Sequence, residues 1–591
     1  MGAAALVARD GTVDFMCWPH LDSPTIFAAL LDTAEAGEFT LAPVIAGAST
    51  SQLYEPDTNI LTTSWIGDGG SAEVTDFMPH PDAKGSLGGC LIRYVRAIRG
   101  RLRFQACCKP RPNYGRAIPR LEPVDQGVCF KLDQSDAAGG DALRLFSSAP
   151  LTLGDGQASA DFWLEPGETA WFVLGDPVQQ TPPRDEVIVE SLQQTAATWR
   201  RWVDRSTYRG RWREQVARSS LALKLLTSAE HGSIAAAATF GLPEATDAGR
   251  NWDYRATWIR DASFTVYAFM RQGYIEEAEA FRHWVGRRIV EAGDKDRLHV
   301  MYALDGEPAA EEQTLDNLAG YGGSRPVRIG NAARSQTQLD IYGELLDSVY
   351  LSNKYGTAIS HEGWANICAV VDQVRRRWRD PDAGIWEIRD TPREFLHSRL
   401  MCWVAIDRAA RLARKRSLPA PLVAWTRERD RIAQDIWTHF RHPEKGYFVQ
   451  ARGATDLDAS LLMMPLVRFV SAKDPVWLST LDAIGEQLAD GALVFRYRNA
   501  DGLAGGEGAF TACSFWYIEC LARAGRLDDA RMLMERAMRF ANSLGLYSEE
   551  VSQAGMQLGN FPQALTHLAF ISAAHFLDRR LSDPSGGVWQ P

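Results

Sequence analysis

The stretch VIVESLQQTAATWRRWVDRS, residues 187–206, is where the chain changes its period. Its apolar residues recur at the 3.6 spacing of one long amphipathic helix. Before it the pattern is different. Leu91–Ala97, Val128–Leu132, Ala142–Phe146 and Ala170–Leu174 are short, apolar and rich in β-branched residues. Turn-forming separators such as GDGGS, DAKGSLGG and DQSDAAGGD stand between such segments, the pattern of an antiparallel sandwich. After the helix, about a dozen helical segments follow, among them 259–272, 336–352, 398–416, 457–470, 508–523, 527–543 and 562–579. A dozen antiparallel helices can close as a double ring, although their number alone does not establish closure. The expected division is a β domain over 1–185, a linker helix over 186–210 and a helical domain over 211–591. The loops 229–255, 292–335 and 380–396 are long and polar, and long ordered loops in a compact domain usually carry function.

Composition narrows the class. The chain has 591 residues, 46% of them hydrophobic, and a formal net charge of −10. That charge argues against a nucleic-acid partner, which asks for a basic face. The start, MGAAALVARDG, has no basic and apolar leader pattern, and no apolar run reaches the roughly 18 residues of a spanning helix. The nine cysteines form no CxxC pair, so reduced, buried thiols in a cytoplasmic protein are expected, with no metal and no cofactor. The 19 tryptophans fit core filling, and some of them fit the flat platforms of a sugar cleft.

Three clusters carry the chemistry. In RNWDYRATWIRDASF (250–264), Arg260 and Asp261 sit beside Trp252 and Trp258. A carboxylate that accepts and a planar guanidinium that donates suit two adjacent sugar hydroxyls, and equally suit an ion pair at a helix start. In DAGIWEIRDTPREFLHSRLMCWVAIDRA (382–409), Glu387 follows Trp386 in a loop. A carboxyl against an indole fits a general acid, although an exposed loop glutamate is the commoner outcome. His397 reads as structural, and Asp407 with Arg408 as a buried pair. In GLYSEEVSQAGMQLGNFPQALTHLAF (545–570), Glu549 and Glu550 lie between helices, where a carboxylate could activate water or simply mark a helix end. Pro562 is expected in the first turn of the following helix. RPVRIGNAARSQTQLDIYGE (325–344) and VFRYRNADGLAGGEGAFTACSFW (494–516) set polar side chains beside Gly-rich turns, and neither is a phosphate loop.

Taken in order, NWDYRATWIRDASF, GIWEIR, HSRLMCWVAIDRA, CSFW and LYSEEV…QLGNFPQA resemble the catalytic domain of the glucoamylase family of glycoside hydrolases, family 15, in its bacterial and archaeal branch. AALVARDGTVDFMCWPHLDSPTIFAALLD resembles the start of that branch's N-terminal domain, and the likeness covers nearly the whole chain. It implies a β-super-sandwich, a linker helix and an (α/α)6 barrel. It also implies exo-acting, single-displacement, inverting hydrolysis that releases β-glucose from non-reducing α-glucosyl ends. By the same resemblance Glu387 is the general acid and Glu549 the general base. Arg260 and Asp261 grip the glucose at the cleaved bond, Arg496 helps bind it, Trp386 flanks the acid, and Trp252 and Trp258 line the pocket. The chain departs from its relatives in two places: they usually carry a further strand before AALVARDG, and often a polar residue where Met556 stands. Glucoamylase-type hydrolysis of malto- or isomalto-oligosaccharides is the first reading and α,α-trehalase the alternative. A non-catalytic sugar-binding protein and a sugar phosphorylase rank below both.

Overall fold

The computed structural model describes residues 2–583 except 83–86, 133–141, 176–180, 246–248, 294–297, 356–358 and 504. The separator DQSDAAGGD and part of DAKGSLGG thus lie outside the described residues. Two antiparallel sheets form the N-terminal part. One has seven strands, with Glu38–Pro43, Leu102–Lys109 and Gln157–Leu164 at its centre. The other has eight, with Ala142–Ser147, Thr169–Gly175, Leu91–Arg99, Gly70–Phe77 and Leu61–Gly67 paired in that order. Burial alternates along Glu38–Pro43 and Gly70–Phe77, the signature of strands with one face in a core. The inward side chains, among them Phe39, Phe104, Val74, Val95 and Phe172, make one shared core between the sheets.

The helix at the change of period is α1 (Asp185–Asp204). Its Trp202 stacks on Tyr274 with ring centroids 4.0 Å apart and donates to Glu277 at 2.6 Å, which fixes it to the helical part. Twelve helices follow among the described residues: α2 (Arg213–Leu226), α3 (Asp261–Gln272), α4 (Ile275–Gly293), α5 (Asp340–Tyr355), α6 (His361–Arg377), α7 (Leu396–Arg416), α8 (Leu422–His439), α9 (Met463–Leu466), α10 (Pro475–Gln487), α11 (Thr511–Ala524), α12 (Leu527–Ala537) and α13 (Ala564–Ser582). They alternate strictly between two rings. α3, α5, α7, α9 with the 3-10 turn Ala459–Leu462, α11 and α13 pack side by side in sequence order, and α13 closes on α3. α2, α4, α6, α8, α10 and α12 form the outer ring against them. The burial of α7 and α11 on nearly every side follows from that inner position.

Three sequence expectations need correction. The helix expected over 457–470 is a 3-10 turn followed by the single turn of α9, and the chain then leaves the helix through Arg468 at φ 66°. The helix expected over 527–543 is α-helical only to Ala537; the chain continues as the 3-10 turn Met538–Phe540 and turns extended at Ala541, after which Asn542 accepts from the N–H groups of Leu544 and Leu546. Pro562 precedes α13 instead of opening it; Gln563 caps that helix, and the Ala564 N–H is taken by Ala236 O at 2.8 Å. The polar loops are also ordered by short antiparallel pairs, 240–243 with 251–253, 257–258 with 301–302, and 509–510 with 550–551.

The sandwich packs against the barrel loops. Phe15, Leu31 and Tyr114 form one apolar cluster with Phe240, Leu315, Leu318 and Val327. Arg255, held by Asp253 at 2.7 Å, lies 4.3 Å from the centre of the Phe240 ring and donates to Ser23 O at 2.7 Å. Asp22 accepts from Leu304 N–H at 2.9 Å. No helix among the described residues is long and apolar enough to cross a membrane.

Candidate active site

Each inner helix begins at the same end of the barrel, and the residues just before or at those starts converge there. Asp261 opens α3, Asp340 opens α5, His397 stands second in α7, Asp458 caps the turn before α9, Phe510 caps α11 and Gln563 caps α13. A ring of helix N-termini offers partial positive charge and free N–H groups to a polar ligand.

Glu387 sits on a tight turn. Its N–H reaches Gly384 O at 3.2 Å, and its own φ is 58°, uncommon for a residue with a side chain. The Gln336 amide holds the turn from behind, donating to Glu387 O and Ile388 O, each at 3.2 Å. The carboxyl is asymmetric. Oε1 accepts from Trp258 Nε1 at 2.6 Å and from Arg260 Nη1 at 3.3 Å, whereas Oε2 makes no hydrogen bond among the described residues. Arg260 is fixed by Ile385 O at 2.6 Å and lies 3.4 Å from Asp261. Burial pushes the Asp261 carboxyl up, and Arg260 draws it back. Trp386 donates to Asp458 at 2.9 Å and meets Phe510 edge-on, so its indole plane is set from two sides.

Glu549 and Glu550 are indistinguishable as loop carboxylates in the sequence, and the structure separates them. Glu550 is turned to the Arg496 side: its Oε2 accepts from Gly508 N–H at 2.8 Å, and its Oε1, buried without a hydrogen bond, is ion-paired with the Arg496 guanidinium 3.1 Å away. Glu549 faces the cavity. Its Oε2 accepts from Asn560 N–H at 3.3 Å, and its Oε1 is buried without a hydrogen bond. The loop passes so close that a Cβ on Gly559 would stand 2.6 Å from Oε2, which is why glycine is needed there. Burial first, then the neighbouring Glu244 charge, holds Glu549 well above the usual carboxylate range. Glu244 itself is pushed up to about 7 by burial.

Two adjoining cavities share this floor. The inner one, of about 440 Å³ with its open mouth included, is lined by Tyr254, Trp258, Arg260, Asp261, Glu387 and Glu549, with Trp386, Arg496, Phe510 and Gln563 beside them. The outer one, of about 420 Å³, keeps Tyr254, Trp386, Glu387 and Arg496 and adds Glu244, Arg250, Trp252, Asn331, Arg389 and Asp501. The eight residues singled out in the sequence therefore meet in one place. Trp252 lies only in the outer wall, under the Arg389 guanidinium 4.2 Å from its ring centre. Among the described residues, none of those lining either cavity comes from the sandwich.

Sequence reasoning missed Tyr254, Glu244 and Asp458. Tyr254 lies inside the quoted NWDYRATWIRD run, and its position four residues before Trp258 was the available signal. Asp458 and Glu244 carry no local signal, since their partners are distant in sequence. His397 is buried, its pKa is lowered to about 3 by burial, and neither ring nitrogen makes a hydrogen bond among the described residues. Asp407 and Arg408 do pair, at 2.9 Å. Glu244, Glu507 and Glu550 bring three carboxylate oxygens within 4.8 Å of one another, but Arg496 contacts all three groups and already supplies the positive charge.

Fold and site together define a sugar-cleaving class: a β-sandwich braced on an α/α barrel, with the carboxyl groups of Glu387 and Glu549 lining one aromatic pocket. Over 98% of the chain and with a TM-score of 0.70, the fold is that of a bacterial glucoamylase solved with acarbose, at 14% identity and 94% of that protein's length. Residues 210–575 match the model for glycosyl hydrolases family 15, and residues 1–135 match that for a trehalase-like N-terminal domain. The trehalase of Thermoplasma acidophilum is 36% identical over 97% of this chain and 98% of its own length. That of Mycobacterium tuberculosis is 35% identical over 99% and 89%. The chain belongs to glycosyl hydrolase family 15 and is a glycoside hydrolase.

Proposed function

We propose that the protein is an α,α-trehalase that works with inversion, with Glu387 as general acid and Glu549 as general base. The observation that carries the reading is that two adjoining cavities meet at Glu387, one lined by the base and the other not. Two linked glucose rings fit such a pair with the glycosidic oxygen beside Glu387. Relatives named trehalase at 36% and 35% identity support this substrate over the glucoamylase-type reading that the sequence alone put first. Both readings use the inner chamber in the same way.

In this reading Arg260 and Asp261 hold the hydroxyls of the inner glucose, and Trp258 and Trp386 bound its faces. Glu387 delivers the proton of Oε2 to the glycosidic oxygen as the bond to the anomeric carbon breaks. Water bound at Oε1 of Glu549 attacks that carbon from the opposite face and gives its proton to Glu549. The inner glucose leaves as the β anomer and the outer one keeps its α configuration. Exchange with solvent then returns a proton to Glu387 and takes one from Glu549. Inversion needs the two carboxyl groups roughly 6.5–9.5 Å apart, with room for one water. Arg250, clamped by Asp501 at 2.7 and 3.0 Å, and Arg389 are the donors for the outer ring.

The nine free cysteines, seven of them buried, support a cytoplasmic setting, and the changes of element near 185 and 210 support the three-part division given above. Glucose release measured in parallel on trehalose, maltose, isomaltose and soluble starch tests the reading. Highest kcat/KM on trehalose is expected; preference for maltose or starch would restore the glucoamylase-type reading.

A further inference from the structure

At the opposite end of the barrel, the bore opens into a second cavity of about 1200 Å³, its open mouth included. It is distinct from the sugar chambers: Phe264 stacks on Trp516 between them, and Trp516 in turn leans on Trp386. Seven arginines line it against four carboxyl groups. One of those four, Glu344, is buried, hydrogen-bonded to Ser263, and held well above the usual carboxylate range by burial.

Most of the arginines have a structural explanation. Arg271, Arg523, Arg579 and Arg580 lie in the last turns of α3, α11 and α13, where cations complement the helix dipole. Arg408 pairs with Asp347 at 2.6 Å, Arg411 with Asp407 at 2.6 Å, and Arg523 with Glu519 at 2.5 Å. Arg468 has neither kind of explanation. Its guanidinium has no hydrogen bond or ion pair among the described residues, and burial together with the Arg408 and Arg523 charges disfavours its protonated form. Its backbone, at φ 66°, occupies the left-handed position after α9 where glycine is the favoured residue. An arginine there gives up backbone comfort to place a cation beside two others. Tyr267, Tyr350 and Phe576 supply apolar wall next to it.

We propose that this far cavity binds a small phosphate-bearing anion, with Arg468 as its principal ligand and the charges of Arg408 and Arg523 beside it. Guanidinium groups bind phosphate oxygens through paired N–H donors, and an added dianion removes the repulsion among the three cations. The site stands apart from the sugar chambers, so its test does not depend on the identity of the sugar.

The full chain is titrated calorimetrically with inorganic phosphate and, separately, with glucose 6-phosphate, at constant ionic strength set with sodium chloride. Saturable binding of one equivalent is expected for at least one of the two. Tighter binding of inorganic phosphate identifies the free ion as the ligand, and tighter binding of the ester identifies a phosphorylated metabolite that also uses the aromatic wall. Arg468→Glu is expected to weaken binding at least tenfold, Arg468→Lys to retain part of it, and both to keep wild-type kcat on the sugar substrate. Equal affinity in wild type and Arg468→Glu, or no saturable heat with either anion, overturns the proposal.

Discussion

At the residue scale the account rests on asymmetry within two carboxyl groups. Glu387 has one oxygen held by Trp258 and Arg260 and the other unengaged; Glu549 has one oxygen on Asn560 N–H and the other buried without a partner. Replacing either by glutamine keeps the shape and removes the proton chemistry. Glu387→Gln and Glu549→Gln are each expected to lower kcat by about 10²–10⁴-fold, the usual contribution of general acid–base catalysis, with KM within a few-fold of wild type. Near-normal kcat in either variant would remove that residue from the mechanism. Glu244 acts on Glu549 through its charge. Because that charge holds the Glu549 pKa up, Glu244→Gln should let the base ionise at lower pH. The acidic limb of the kcat/KM profile is expected to move to lower pH, and a shift to higher pH would contradict the electrostatic assignment.

At the scale of elements, helix starts do the positioning. Asp382 shows how. Its Oδ2 accepts from Leu339 N–H at 2.8 Å and from Ser398 Oγ at 2.7 Å, tying the approach to α5 to the first turn of α7, with the Glu387 turn between. Asp382→Ala leaves both buried donors unpaired and should cost about 2–4 kcal/mol. Burial raises the Asp382 pKa to about 7, so the folded state binds this proton more tightly than the unfolded chain. The stabilisation is complete below the ordinary carboxylate range and is lost as pH rises through about 7. The melting temperature of wild type relative to Asp382→Asn should therefore fall between pH 5 and 8, and a pH-independent difference would contradict this. Periodicity made α1 and the long inner helices legible in the sequence, because an amphipathic or wholly apolar helix writes its burial into its spacing. The turn around α9 was not legible, since its apolar run reads as a full helix until Pro465 and the left-handed Arg468 end it. Nor could the sequence choose between Glu549 and Glu550 without the resemblance; the choice depends on Arg496 and Gly508, which only the fold brings alongside.

At the scale of the whole molecule, the sandwich acts as a brace. It lines neither sugar chamber, yet its Phe15, Leu31 and Tyr114 cover Phe240, Leu315 and Val327 on the loops behind the site. A chain beginning at Arg184 would expose that cluster and leave Arg255 without its Ser23 contact. It is expected to be insoluble or strongly aggregated by size-exclusion chromatography; a monodisperse, active barrel would show that the brace is dispensable.

The central claim is a single displacement on trehalose between Glu387 and Glu549. Proton NMR of the first products, recorded before mutarotation, tests it most directly. The account predicts equal initial amounts of β-glucose from the inner chamber and α-glucose from the outer one. Initial release of α-glucose alone, or no glucose from trehalose, would contradict it.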